Sequence, residues 1–214
     1  MKRVFVVLMV LLLAMAQGLF AQSGGKGGSS SAGSGRSGTP APAADSNDKG
    51  VITIPNNTKA VADNQFAAYT TTAAPKTAFD YYSGALAIPN SVTTIGVKAF
   101  QGNKLTAVTV GTGVTEIKDN AFTANMLTAL VLPNNVTKIG SGAFSDNQLA
   151  SITLGANVHI GNFAFRNNPA LSSITIGANC TIANDNSIDA AFKRAYATGG
   201  AGTYTKNGNA WTKK

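Results

Sequence analysis

Hydrophobic residues recur with a pitch of 22 residues over the part of the chain between Leu86 and Ile182. The segment Val108-Thr109-Val110 alternates apolar and small polar residues, which predicts a half-buried strand in each repeat. The positions that keep the pitch form three columns: Leu105, Leu127, Leu149 and Leu171; Val108, Leu130, Ile152 and Ile174; and Val110, Leu132, Leu154 and Ile176. After a Gly or Pro-Asn turn, a second short strand is predicted around Val114 and Ile117. One unit of this size cannot bury its own apolar face, so the repeats are expected to stack into a solenoid.

An Ala-Phe pair and an asparagine close each repeat. The pairs are Ala99-Phe100, Ala121-Phe122, Ala143-Phe144 and, one residue early, Ala164-Phe165; the asparagines are Asn103, Asn125, Asn147 and Asn168. We expect the phenylalanines to plug the core on short helical turns, and the buried amides to bond the backbone of neighbouring coils rather than a ligand. A period of about 20–29 residues with one short strand per unit is typical of leucine-rich repeats. The predicted fold is therefore a leucine-rich-repeat solenoid of about 22 residues per coil, mainly β with short helical turns and terminal caps.

The pattern continues in degraded form before the regular repeats, which we place at 86–186. Ile54, Val61 and Phe66 keep the internal spacing of a repeat, at an offset of 34 residues from the first regular one. Terminal repeats of solenoids are often irregular because they cover the exposed end of the core. Residues 51–85 are thus predicted to be an N-terminal capping repeat with an insertion, whose aromatic residues Tyr69, Phe79, Tyr81 and Tyr82 are assigned to cap packing, with a binding patch as the alternative.

Residues 187–214 are predicted to form a C-terminal cap made of a helix and a hairpin. Ser187 is expected to cap the helix at its start, and Gly199 to lie just beyond its end. Asn207-Gly208 is typical of a tight hairpin turn. The aromatic residues of the segment stand where the repeat pattern stops: Phe192, Tyr196, Tyr204 and Trp211.

The first 50 residues have the composition of an export signal and a linker. Lys2 and Arg3 precede an apolar run that ends at Ala21, so 1–21 is interpreted as a signal peptide rather than a membrane anchor, for which the run is too short. Residues 22–50 are mostly Gly, Ser and Pro and are expected to be a disordered linker. Removing the signal lowers the net charge from +8 to +6, since 15 basic residues then face 9 acidic ones.

Composition and motifs argue against catalysis, cofactors and nucleic-acid binding. The basic residues are scattered rather than clustered with aromatics, which disfavours nucleic acid. Cys180 is the only cysteine and His159 the only histidine, and no carboxylate pair is spaced as in a glycosidase. The run Asp185–Asp189 faintly resembles a calcium loop but lacks its glycine and its bidentate glutamate, so helix capping is preferred. We therefore predict no enzyme activity, no catalytic residue, no metal site and no cofactor.

The outward positions of the main strands carry small uncharged groups. Four of them form the candidate binding column: Thr109, Val131, Thr153 and Thr175. A flat uncharged sheet surface suits contact with a protein or a glycan and offers no acid or base. The same surface is equally compatible with an inert face.

These motifs resemble the BspA-type leucine-rich repeats, especially those of treponemal surface proteins. The resemblance covers about Leu86 to Ile182 and rests on the pitch and on the Ala-Phe-x-x-Asn element; the ending Gly202–Thr205 with Trp211 is also similar. It implies an exported, adhesin-like protein, periplasmic, on the outer surface or secreted, that binds a protein or glycan such as host extracellular matrix. The alternative is a structural or scaffolding protein of the bacterial envelope with no host ligand. After signal cleavage no stable membrane span is expected.

Overall fold

The computed structural model of the chain describes residues 52–67, 82–184 and 187–214. All of them belong to one compact unit, Pro40–Lys214. The predicted signal peptide and linker lie outside the described residues, as do Tyr69, Phe79 and Tyr81 of the predicted insertion.

Each coil after the first contributes one longer strand and one two-residue strand, and the first contributes only a two-residue strand. In chain order the strands and the helix are β1 Ala60–Val61, β2 Ser83–Ala87, β3 Thr94–Ile95, β4 Lys104–Thr109, β5 Glu116–Ile117, β6 Ala129–Val131, β7 Lys138–Ile139, β8 Ser151–Leu154, β9 His159–Ile160, β10 Ser173–Ile176, β11 Thr181–Ile182, α1 Ala190–Gly199, β12 Gly202–Asn207 and β13 Ala210–Lys213. The strands alternate between two sides of the coil, as the sequence pattern predicts.

The described strands form three sheets. The short strands make a parallel sheet in the order β1-β3-β5-β7-β9-β11, and the longer ones make a sheet in the order β6-β8-β10-β12-β13, in which β12 and β13 are antiparallel. Strands β2 and β4 pair with each other in a separate two-stranded sheet. Lys138 pairs with His159 and Ile139 with Ile160, each only 21 residues on, so the residue missing before Phe165 is lost just ahead of β9.

Strand β1 pairs with β3 at the same offset that relates their sequences. Ala60 pairs with Thr94 and Val61 with Ile95, which is the offset of 34 residues found in the sequence. Phe66 is buried and its ring stacks on that of Phe100 with centroids 5.3 Å apart. The first coil therefore continues the core despite the insertion.

Phenylalanine rings and asparagine amides run through the solenoid as two parallel ladders. The rings of Phe100, Phe122, Phe144 and Phe165 are buried and stack at centroid distances of 5.1–5.6 Å. Each buried asparagine donates to the phenylalanine carbonyls of its own and the preceding coil, and accepts from a backbone N–H of the preceding coil. Asn125, for example, donates to Phe100 O (2.9 Å) and Phe122 O (3.1 Å) and accepts from Leu105 N. The structural role predicted for these residues is confirmed.

The turns before the phenylalanines are left-handed rather than helical. The residue two positions before each ring has a positive φ, as in Asn120 (56°) and Gly142 (62°). Its N–H donates to the next coil, from Asn120 N to Ser141 O and from Gly142 N to Asn162 O. Because each turn bonds the neighbouring coil as well as itself, stacking rather than helix propensity decides its conformation. Short helical turns, expected from the sequence, are replaced here by these irregular turns.

A helix and a hairpin cover the last coil. Helix α1 starts after Asp189, whose carboxylate accepts from Ala191 N and Phe192 N, so the N-cap is Asp189 and the prediction of Ser187 was wrong. Gly199 is the last helical residue rather than the one beyond it. Ser187 instead bonds Asn184 through its hydroxyl. The carboxylate of Asp189, two residues after Ser187, accepts from the free N–H groups of the first helical turn in place of the Ser187 hydroxyl.

Aromatic residues pack between this helix, the hairpin and the end of the core. Phe192, Tyr204 and Trp211 are buried, and the Phe192 ring meets the other two edge-on at 5.4 and 5.3 Å. Within the described part of the chain, no helix is long and apolar enough to span a membrane.

Candidate binding surface

Three of the four candidate residues lie side by side on the outer face of the longer-stranded sheet. Val131 on β6 pairs with Thr153 on β8, and Thr153 pairs with Thr175 on β10. Their neighbours toward the core, such as Ile152 and Ile174, are buried, which turns these three side chains outward. Val131 is 65% exposed, whereas Thr153 and Thr175 are half-buried.

Thr109, the fourth candidate, is exposed on β4 but belongs to the two-stranded sheet with β2. No backbone ladder joins β4 to β6 within the described residues. The sequence pattern placed Thr109 in the same column, because a constant pitch carries no information on where hydrogen bonding between coils is interrupted.

The outer face continues onto the C-terminal hairpin, which the sequence analysis assigned only to the cap. Thr203 of β12 pairs with Thr175 and Thr205 pairs with Ser173, and the hydroxyls of Thr175 and Thr203 are 2.9 Å apart. A sequence signal was available, since Thr203-Tyr204-Thr205 has the polar-apolar-polar alternation of the preceding strands. The outward-facing residues of these strands form what is called the threonine face below. Its central residues are Val131, Thr153, Thr175 and Thr203.

Charged groups collect on the other sheet instead. Lys138 Nζ lies 2.7 Å from Glu116 Oε1, and this hydrogen bond together with the charge of Glu116 raises the pKa of Lys138. Next to them, His159 Nδ1 is 2.8 Å from Thr181 Oγ1, and the ring is exposed as predicted. These groups are paired in a row along adjacent short strands, so they form a solvated structural surface rather than a cluster converging on one point.

Cys180 is buried like the valines that precede it in its column. Its thiol donates to Gly155 O at 3.3 Å, and its backbone N–H donates to the Tyr196 hydroxyl at 3.0 Å. Burial raises the pKa of Tyr196, whose hydroxyl in turn donates to Gly177 O. The interpretation of Cys180 as a core residue is confirmed. Within the described ranges, His, Cys, Asp and Glu residues do not assemble into a group that could hold a metal.

Comparison with known proteins agrees with this architecture. The family model "BspA type Leucine rich repeat region" matches residues 72–193 in six copies, which is more than half of the chain. Among solved structures, the chain is similar to the T. pallidum leucine-rich-repeat protein TpLRR, at 23% identity and a TM-score of 0.44, over 71% of this chain and 79% of that one. The resemblance noted from the sequence is thereby confirmed.

The chain is also similar to two further solved structures. The pneumococcal vaccine antigen PcpA is 22% identical with a TM-score of 0.37, over 60% of this chain and 36% of that one. A leucine-rich cell surface protein from Faecalibacterium prausnitzii is 22% identical with a TM-score of 0.35, over 76% and 53%. This chain thus spans only about a third to a half of these two proteins. No curated protein sequence matches the chain.

Proposed function

The chain belongs to the BspA-type leucine-rich-repeat family, and we propose that it is an exported binding module whose threonine face holds a protein partner. BspA-like proteins are bacterial cell-surface proteins, and their repeats are typically binding scaffolds rather than enzymes. The adhesin-like role, with host extracellular matrix as one candidate ligand, is our proposal for this chain. A glycan on the same surface is the alternative ligand class.

The observation that carries the proposal is the chemistry of the threonine face. Val131, Thr153 and Thr175 present methyl groups and hydroxyls in register, without an ionisable side chain among them. The centre of a protein interface is depleted of charge, because an unpaired charge is costly to remove from water. A surface that mixes methyl groups and hydroxyls can be desolvated at much lower cost. The face is also wide, since β12 and β13 extend it beyond the repeats.

Export and an N-terminal extension form the second part of the proposal. The predicted signal peptide at 1–21 would direct export, and after its cleavage the linker at 22–50 would extend from the N-terminal end of the solenoid.

The rival function is an envelope scaffold without a host ligand. One observation favours it: the hydroxyls of Thr175 and Thr203 bond each other, so part of the face has already satisfied its own polar groups. An inert face of this kind would tolerate charges without loss of any activity.

Placing positive charges on the threonine face distinguishes the two functions. The double variant Val131→Lys/Thr153→Lys places two cations on the threonine face, and Ala60→Lys/Thr94→Lys places two on the other sheet as the matched control. Binding to immobilised matrix proteins and matrix glycans is measured by biolayer interferometry, with folding checked by circular dichroism. We expect the first variant to bind at least about tenfold more weakly, a loss of about 1.4 kcal/mol, and the control to bind like the wild type. If the wild type binds nothing, or both variants bind equally well, the adhesin-like function is rejected in favour of the scaffold.

A further inference from the structure

Strand β13 is the outer edge of the longer-stranded sheet. The sheet runs in the order β6-β8-β10-β12-β13, and no described strand pairs with β13 on the side away from β12. Ala210, Thr212 and Lys213 of this strand are exposed, as is Asn209 in the turn before it. An edge strand presents backbone N–H and C=O groups with which another strand can pair.

The alternation of hydrogen bonds identifies the unpaired backbone groups of β13. Lys214 N donates to Thr203 O at 2.9 Å, so Lys214 faces β12. Residues in a strand bond to its two sides alternately, and Thr212 therefore faces β12 as well. The N–H and C=O groups of Trp211 and Lys213 then face the open edge, where they bond no described residue. The edge thus offers two donors and two acceptors to an incoming strand.

The same edge borders the threonine face. Thr212 is exposed and pairs with Thr205 of β12, which in turn pairs with Ser173 of β10. Thr212 therefore lies in the outward row of the sheet, whereas its neighbour Trp211 is buried on the core side. A strand added along β13 would extend both the sheet and the threonine face.

Positive charge decides which kind of strand this edge accepts. The C-terminal cap contains five basic residues and one acidic residue, Asp189, which Lys206 Nζ already bonds at 2.9 Å. Lys213 and Lys214 are exposed at the end of β13. Lys213 Nζ donates to Gly199 O, a neutral acceptor, so no acid compensates its charge there. Opposite charges stabilise a cross-strand pair and like charges destabilise it, so the edge favours an acidic strand.

We propose that β13 receives an extended, acidic segment of a protein partner by strand addition. The segment would exchange hydrogen bonds with the backbone of Trp211 and Lys213 and set its carboxylates against Lys213 and Lys214. Its other side chains would lie beside Thr212. This inference rests on the proposed function, because it specifies how a protein held by the threonine face is also paired along the edge of that face.

Other occupants fit the edge less well. A second copy of β13 would bring lysines against lysines, which is how natural edge strands avoid pairing with themselves. A helix has already bonded its own backbone groups. A glycan lacks the regular succession of N–H and C=O groups that completes a β-ladder.

Three capped hexapeptides test the proposal on the full chain. The first alternates glutamate with valine, the second alternates lysine with valine, and the third is the glutamate peptide with its central amides N-methylated. The backbone ¹H–¹⁵N signals of Trp211 and Lys213 are followed in each titration. We expect the glutamate peptide to shift both signals saturably and to bind about fivefold or more tightly than the lysine peptide, because ion pairs at an interface rim contribute modestly. The methylated peptide should give no such shift, since it cannot donate to the edge.

Absence of a shift with the glutamate peptide, or equal affinity for the two charged peptides, would overturn the proposal. An undiminished response to the methylated peptide would overturn it too, because charge alone would then explain the binding. Val131→Lys/Thr153→Lys alters strands at the other side of the sheet and should keep the response to the glutamate peptide even if matrix binding is lost. Failure of strand addition and failure of the adhesin-like function therefore give different results.

Substitutions at the edge give an independent check through the Trp211 signal. Lys213→Glu/Lys214→Glu keeps the backbone and reverses the charge, so the preference should switch to the lysine peptide. Lys59→Glu/Lys98→Glu reverses two exposed lysines of the first coils and, as the matched control, should keep the preference for glutamate. A folded edge variant that still prefers the glutamate peptide would refute the assignment.

The backbone itself is tested by Lys213→Pro, which removes an N–H that β12 does not use. Proline is tolerated on an edge strand where its nitrogen faces outward, so the variant should fold. We expect it to lose most of the response of Trp211 to the glutamate peptide. Unchanged affinity in this variant would show that the peptide does not pair with the edge.

Discussion

Asn147→Asp changes one atom of the amide ladder and reverses its polarity. Asn147 is 4% exposed, and its Oδ1 accepts from Leu127 N at 3.1 Å. Its Nδ2 donates to Phe122 O at 2.9 Å, Ser145 O at 3.0 Å and Phe144 O at 3.2 Å. A carboxylate keeps the acceptor but replaces the donor with a charged oxygen that faces three carbonyl oxygens. The fold is not expected to change, since the two side chains have the same shape.

The magnitude follows from the lost donor and the buried charge. A buried charge left without compensation costs about 3–5 kcal/mol of unfolding free energy, and we expect this loss for Asn147→Asp at pH 7. Burial and the facing carbonyls favour the protonated carboxyl, so its pKa is raised in the folded state. A raised folded-state pKa means that the penalty is absent below the unfolded-state pKa of about 3.9 and complete above the folded-state pKa. Acid should therefore relieve most of it, because the protonated carboxyl regains one donor.

Urea unfolding at pH 7 and pH 3.5, followed by circular dichroism, measures both effects. Asn135→Asp, at an exposed position of the Pro-Asn-Asn turn, is the control and should differ from the wild type by less than about 0.5 kcal/mol at either pH. A loss under about 1 kcal/mol for Asn147→Asp at pH 7, well below the range for an uncompensated charge, would show that the amide is not a buried structural donor. An equal loss at both pH values would show that the carboxylate does not face the carbonyls.

Three further predictions test the core and the cap. Phe122→Ala and Phe144→Ala should each lower the unfolding free energy by about 3–5 kcal/mol, the range for a buried ring, and a loss below about 1 kcal/mol in urea unfolding would contradict their burial. Deleting 187–214 should expose the core end and shift the protein to aggregates in size-exclusion chromatography, whereas deleting 22–50 should leave a folded monodisperse protein; a monodisperse cap deletion would mean that the cap aromatics serve another role. Burial raises the pKa of Asp189, but the hydrogen bonds from Lys206, Ala191, Phe192 and the Trp211 indole outweigh it and lower the pKa overall. The stabilisation by Asp189 is thus present above about pH 4 and is lost as the pH falls further. Asp189→Asn should therefore flatten the acid limb of a stability–pH curve. An unchanged acid limb would show that ionised Asp189 does not stabilise the fold.

The repeats were predictable because each coil obeys the same physical requirement. A position that must be buried in one coil must also be buried in the next. The same residue type therefore recurs at equivalent positions, as in Leu105 and Leu127 or Asn125 and Asn147. The early position of Phe165 is visible in the sequence as a shift in register, although only the pairing of Lys138 with His159 places the missing residue just ahead of β9.

Features that the hydrophobic repeat pattern does not encode were missed or misplaced. The left-handed turns depend on hydrogen bonds to the next coil, which local sequence does not show: Lys98 takes a positive φ where Gly142 does in another coil. The interruption between β4 and β6 likewise leaves no mark on the pitch, so Thr109 was grouped with residues of a sheet to which it does not belong. The capping of α1 was decided by competition between Ser187 and Asp189, and in the fold Ser187 already has a backbone role toward Phe165.

The end of the solenoid shows why such misassignments gather where the repeat pattern fails. Pattern matching stops at Ile182 because Ile188 and Ala191 no longer look like a phenylalanine and an asparagine, yet the bond from Phe165 N to Ser187 O shows that the coil geometry continues for half a turn. In that half turn the chain keeps the backbone of the repeat and drops the two side chains that would fill it. Helix α1 and the hairpin then close around the space instead of into it, which leaves a cleft bordered by Phe165 and Trp211. A degenerate repeat therefore serves as both the support of the cap and the origin of this cleft.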